Sequence, residues 1–175
     1  EGGVLEIMKT YILEPEKKIV KQGFFVHEEN GDLVYEFKML KQPLIGAMEF
    51  EFVNHVNGKS SVHKVSHTLT TETSGLFPIA NTKSSFKYDG KNIWDYLHEQ
   101  GIRLDTGLSS GRLGFSYDVT LKGQPFATIS TYSPKGEKAI LTTQNVLKIE
   151  TEEKDLDLAL LTAFAIARTE QAFLN

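Results

Sequence analysis

Several short stretches of the chain combine residue types that could do chemistry. The first, "GLSSG" (107–111), matches the Gly-x-Ser-x-Gly pattern of a nucleophilic serine. That pattern works when a strand delivers the serine to a strained turn, a helix follows, and an acid and a histidine come later in the chain. Here the strand-like run "RLGFSYDVTL" follows, and the last histidine, His98, precedes the serine. Ser109 is therefore not expected to act as a nucleophile. Extended to "GLSSGRLG", the stretch is glycine-rich but lacks the Gly-Lys-Ser/Thr ending of a phosphate-binding loop. It reads as a loop or hairpin, with Arg112 a candidate for holding an anion in it.

His63 and His67, in "SVHKVSHTLT" (61–70), would share a face and chelate a metal if the segment were helical. Its composition is that of a strand, where four residues at ~3.4 Å leave the rings on one face but roughly 13 Å apart. They align with Val65 and Leu69 and are expected to look toward the interior. His27 and His55 lie in other segments, and spacing alone does not bring them together. The densest basic stretch is "EKKIVKQ" (16–22). Acidic residues flank it and a solvated strand end accounts for it, yet Lys17, Lys18 and Lys21 join Arg112 as the candidates for an anion or a lipid headgroup. No catalytic residue, metal-ligand set or cofactor site is predicted.

The elements that must position these residues are mostly strands. From Lys9 to about Glu150 the chain alternates short β-branched and aromatic runs with turn residues. Strands are expected at 9–13, 18–26, 33–40, 48–56, 61–70, 84–88, 112–121, 126–132, 138–141 and 145–150, with Leu76–Ile79 and Ile102–Leu104 as two more. Between them lie "ENGD", "VNGK", "YDGK", "KGQP" and "PKGE", whose Asn-Gly and Asp-Gly pairs tolerate positive φ and suit hairpins. A meander follows, and so many strands would leave long exposed edges unless the sheet closed into a barrel or sandwich. "NIWDYLHEQG" (92–101) breaks the cadence as a short peripheral helix, with Ile93, Trp94 and Leu97 on one face and a glycine suited to its C-cap.

The closing segment is of another kind. From Leu156 to Ala167 apolar positions run continuously around the helix axis, with Asp155 and Asp157 at its start, Arg168 at its end and Thr162 able to bond back to its own helix. Helix capping and the helix dipole account for the two aspartates. A helix that is apolar on all sides must be surrounded. At 1.5 Å per residue this one spans about 18 Å, short of a ~30 Å hydrocarbon core, and it lacks the polar face of an interfacial helix. It is expected to thread through the closed sheet, its alanines at 159, 163, 165 and 167 letting strands approach.

Bulk properties narrow the function classes. A chain of 175 residues with 40% apolar content fills one domain. Met8 and the following "KTYILEP" look like a natural start, so the domain is set at 8–175, with 1–7 as a remnant or N-terminal extension. A net charge of −4 and a pI near 5.8 argue against a nucleic-acid-binding protein. The absence of cysteine excludes disulfides, thiolate zinc sites and a cysteine nucleophile, and fits a cytoplasmic setting. No signal peptide is expected, since the first residues lack its charged, apolar, small-residue progression, and no apolar run reaches the ~20 residues of a spanning helix.

Two stretches resemble a known family. "GFFVHEENGDLVYEFK" (23–38) is similar to the early hairpin, and "DLDLALLTAFAIA" (155–167) to the terminal helix, of the Tubby C-terminal domain superfamily, which includes LURP-one-related proteins and phospholipid scramblases. The resemblance implies a closed antiparallel β-barrel of about 12 strands around a central hydrophobic C-terminal helix. It also implies a non-enzymatic binding module, peripheral at a membrane through anionic lipid headgroups; the alternative is a protein-interaction domain without lipid affinity that uses a sheet edge or the loop 71–85. In scramblases the acidic segment before the terminal helix is associated with calcium. Asp155 and Asp157 match its character, but the longer run of oxygen ligands expected for that ion is not evident.

Overall fold

The computed structural model describes residues 8–18, 20–74, 79–107, 116–132 and 146–174. Eleven strands form one antiparallel sheet: β1 (Met8–Pro15), β2 (Phe24–Glu28), β3 (Leu33–Lys41), β4 (Met48–Asn54), β5 (Ser60–Ser74), β6 (Ile79–Tyr88), β7 (Lys91–Asn92), β8 (Ile102–Gly107), β9 (Ser116–Leu121), β10 (Gln124–Thr131) and β11 (Leu147–Glu152). Helix α1 (Ile93–Glu99) lies between β7 and β8 in the chain, and α2 (Leu156–Leu174) follows a 3-10 turn at Glu153–Asp155.

Turn chemistry drives the meander. Asp89-Gly90 and Lys122-Gly123 each place two consecutive residues at positive φ, the mirror-image turn whose twist matches its flanking strands. From β1 the sheet steps outward strand by strand to β7, and from β11 it steps back through β10 and β9 to β8. The two meanders meet where β1 pairs with β11, from Met8 opposite Glu152 to Leu13 opposite Leu147.

Among the described residues the sheet does not close into the expected barrel of about twelve strands. The described residues supply eleven strands, ordered β7-β6-β5-β4-β3-β2-β1-β11-β10-β9-β8, and among them no ladder joins the outermost members. β7 is two residues long and offers almost no edge to pair. In place of a ladder, α1 packs against β6, β7, β8 and α2, burying Ile93 and Leu97 fully. Asn92 caps it, its side-chain oxygen accepting from the backbone N–H groups of Trp94 and Asp95, and Gly101 closes it at φ +93°. Other boundaries also move. β2 begins at Phe24 rather than Lys18, because residues 16–18 and 20–23 form the connection from β1. Ile102–Leu104 is part of β8, whereas the strand expected at 138–141 lies outside the described residues.

Helix α2 supplies the centre of the core. From Ala159 to Ala167 every residue is buried, and Leu156 is buried ahead of them. The ring of Phe164 meets Phe24, Phe37, Phe50, Phe52 and Phe86, which belong to β2, β3, β4 and β6, at centroid separations from 4.7 to 6.0 Å. On its other sides α2 packs on β10, β11 and α1. Thr162 sits fully buried because its hydroxyl donates to the Leu158 carbonyl at 2.9 Å. Among the described residues no helix is long and apolar enough to cross a membrane.

Candidate functional site

The candidate lysines stand on a loop that the fold ties to its neighbour. Pro15 of β1 pairs with Phe24 of β2, Phe24 with Phe37 of β3, and Lys41 of β3 with Glu49 of β4. The β1–β2 and β3–β4 connections therefore leave the sheet at the same end. They are joined there by the backbone N–H of Lys21, which donates to the Gln42 side-chain oxygen at 2.9 Å. Lys21 holds φ at +53°, an uncommon backbone conformation for a side-chain-bearing residue. Gly23 anchors the loop: its carbonyl accepts from the Glu16 N–H at 2.8 Å, and a Cβ on it would stand 2.0 Å from the Phe37 carbonyl oxygen.

The three lysines are not equivalent. Lys18 is engaged with the buried carboxylate of Glu16 at 3.1 Å. Lys17 and Lys21 are exposed and have no ion-pair partner among the described residues. Beside them the paired loops present large apolar side chains to water: Val20 is 67% exposed, Ile45 92%, and Leu44 fully. Lys41, at the foot of the second loop, lies 3.8 Å from Glu49, a loose surface pair. Composition marks the lysines, whereas "QPLIGA" (42–47), lying between two expected strands, carried no expectation. A Leu-Ile pair between proline and glycine is the signal that was there to find.

Arg112 and Ser109 lie outside the described residues. The histidines are dispersed as their strands dictate. His27 stands 3.0 Å from Glu14 and His55 2.6 Å from Glu36, each with its own carboxylate. His63 and His67 lie on β5, opposite Phe50 and Phe86 of its neighbours, and do not share a site. Burial, reinforced by the charge of Arg168, lowers the pKa of His67. Among the described residues no three or more His, Asp or Glu are placed to hold a metal.

One arrangement escaped the sequence reading. His63 Nδ1 is 2.7 Å from Asp89 Oδ2 and its Nε2 is 2.7 Å from Ser61 Oγ, while Asp89 Oδ1 accepts from the Lys64 N–H at 2.8 Å. With the proton on Nδ1, the imidazole donates to the carboxylate and accepts from the serine, the relative order of an activated nucleophile. Ser61 and His63 are two apart and so share a strand face, but Asp89 reaches them only through the pairing of β5 with β6. Two further conditions are unmet. Ser61 is exposed, and it lines neither of the two clefts described, one bordered by Ile12, His27, Glu28, Glu29, Gly31 and Tyr132, the other by the β3–β4 loop and β5.

The start of α2 is pinned rather than merely capped. Asp157 Oδ1 accepts from the buried Asn54 side-chain amide at 2.9 Å, whose own oxygen accepts from the Val56 and Asn57 N–H groups. Burial raises the Tyr35 phenol well above its ordinary range, helped by the charge of Asp157. Asp155 closes the 3-10 turn. Comparison with known proteins adds nothing to this geometry: no protein-family model, curated protein or solved structure matches the chain.

Proposed function

We propose that this domain is a non-enzymatic, Tubby-like binding module that docks peripherally on anionic lipid surfaces, on the cytoplasmic side, through its β1–β2 and β3–β4 loops. The observation that carries the reading is the pairing of unbridged Lys17 and Lys21 with exposed Val20, Leu44 and Ile45 on two loops tied together at Lys21 and Gln42. A lysine near an anionic surface contributes about 1 kcal/mol. An aliphatic side chain fully withdrawn from water contributes roughly 1.5–3 kcal/mol. Two lysines and three partly withdrawn tips give reversible attachment with no spanning element. The likeness of "GFFVHEENGDLVYEFK" and "DLDLALLTAFAIA" to the Tubby superfamily supports the same class.

Co-sedimentation with vesicles tests it. The protein is expected to bind anionic but not neutral vesicles, and to be released as salt rises. Lys17→Glu with Lys21→Glu should abolish binding, and Leu44→Asp with Ile45→Asp should weaken it at every salt concentration without changing the fold. Absence of binding to either vesicle at low salt overturns the proposal in favour of a protein-interaction domain.

A further inference from the structure

Helix α2 carries one charge into the core without a counter-charge. Arg168 follows directly on the buried run from Ala159 to Ala167, and its Nε is enclosed with no hydrogen-bond partner. Its guanidinium lies 5.9 Å from the centroid of the Phe50 ring, and Nη2 donates to the Met48 sulfur at 3.6 Å. A thioether is a weak acceptor and a phenyl ring a weak counter-charge, so neither replaces the hydration that a guanidinium loses on leaving water. Burial lowers its pKa, and among the described residues no carboxylate is paired with it.

A groove in the sheet leads to this charge. β4 begins at Met48, opposite Val65, and the next residues of β5 look across to the β3–β4 loop instead. Between them lies a cleft of about 470 Å³, with Gln42 and Met48 on one side and Ser66, His67, Thr68 and Lys87 on the other. Residues opposite one another in a ladder share a face. Met48 pairs with Val65 and His67 with Phe86, both buried, so these two point inward. Ser66 pairs with Lys87, and these two point outward. The cleft thus joins the outer face of the sheet to the inner one, where Met48 touches Arg168 and His67 feels its charge.

The charge of this cleft has one sign. Lys87 is exposed with no ion-pair partner among the described residues, and neither Asp nor Glu is among the described residues that line the cleft. Gln42, Ser66 and Thr68 add an amide and two hydroxyls that can donate to an anion. Methionine is unbranched and turns at low cost, so an entering group can displace its tip from the guanidinium. We propose that this cleft binds a small organic carboxylate, which enters past Lys87 and takes the guanidinium of Arg168 as its partner once Met48 moves aside. The planar fork of arginine matches a carboxylate two bonds at a time, and the volume is that of a small-molecule site. A phosphate dianion would give up more hydration to reach the same depth. The site is independent of lipid docking and is assayed with no vesicle present.

Succinate and butyrate are the probes, each titrated into the isotope-labelled protein and followed by NMR against chloride at equal ionic strength. Saturable shifts are expected at the amides of Met48, Ser66 and His67. The carboxylate offsets the charge of Arg168, so the pKa of His67 should rise toward its ordinary value when the cleft is filled. Arg168→Met should weaken binding roughly 10- to 100-fold, and Lys87→Gln no more than about fivefold, because Lys87 is exposed. Should Arg168→Met fail to fold, the response of His67 in the unaltered chain decides. Absence of saturable shifts with both acids overturns the proposal. So do shifts that survive Arg168→Met, a His67 pKa that stays where it was, or an equal response to inorganic phosphate.

Discussion

Ser61, His63 and Asp89 form a hydrogen-bonded line that, in a cleft, would activate a serine. On this sheet the serine faces water, and the imidazole is wedged between Phe52 and Tyr88, with ring centroids 4.7 and 4.8 Å away. A preorganised, water-excluded pocket of N–H donors is usually the largest contribution to acyl-transfer catalysis, and geometry without it is structural hydrogen bonding. Under the non-enzymatic reading, an excess of a fluorophosphonate ester leaves the protein unmodified by intact mass. Stoichiometric labelling of Ser61, lost in Ser61→Ala and His63→Gln, would reverse that reading. His67 makes a different prediction. Its folded pKa is depressed below 6.5 by burial and by Arg168, so the unfolded chain binds the proton more readily. Its contribution to stability is fully present above about pH 6.5 and is lost as pH falls through that value toward the lowered one. Urea titrations at stepped pH should show His67→Gln flattening the fall in stability on that acidic side.

At the scale of elements, α2 decides whether the fold exists. Phe164 contacts five phenylalanines on four strands, so Phe164→Ala removes the centre of the aromatic cluster and leaves a cavity that none of those strands can fill alone. A loss of about 3–5 kcal/mol is expected, to be read from denaturant unfolding. Phe164→Leu should cost less, and equal losses for the two variants would mean that the ring's contacts do not carry the core. This element was legible in the sequence because a twelve-residue run without a polar face has few physical solutions. Strand existence was legible for a similar reason, through β-branched runs punctuated by Asn-Gly and Asp-Gly. What composition could not show was where a ladder stops. The early end of β4 beside a long β5 is a matter of register, which depends on partners distant in the chain.

For the whole molecule, the seam left open among the described residues is the main departure from expectation. The turn cadence argued for closure because free edges are costly, and that reasoning did not allow for α1 doing the work of a missing ladder between β7 and β8. The candidate site was half legible. Lys17, Lys18 and Lys21 are visible as a basic cluster, but that Glu16 occupies Lys18, and that Leu44 and Ile45 share the end of the sheet with Lys21, follow only from the stacking of β1 to β4.

The position of α2 in the chain also governs how the protein comes into being. All eleven strands precede the helix that fills them, so during synthesis the whole meander leaves the ribosome before its own interior has been made. Until residues 156–167 emerge, Phe24, Phe37, Phe50, Phe52 and Phe86 have no Phe164 to meet, and a β-rich chain with exposed aromatic faces is the kind of species that aggregates. Nascent chains should therefore remain protease-sensitive until α2 has emerged behind the strands, and then become protected in one step. Its biosynthesis is a race in which a helix made after the strands it fills has to arrive before those strands find each other in the wrong company.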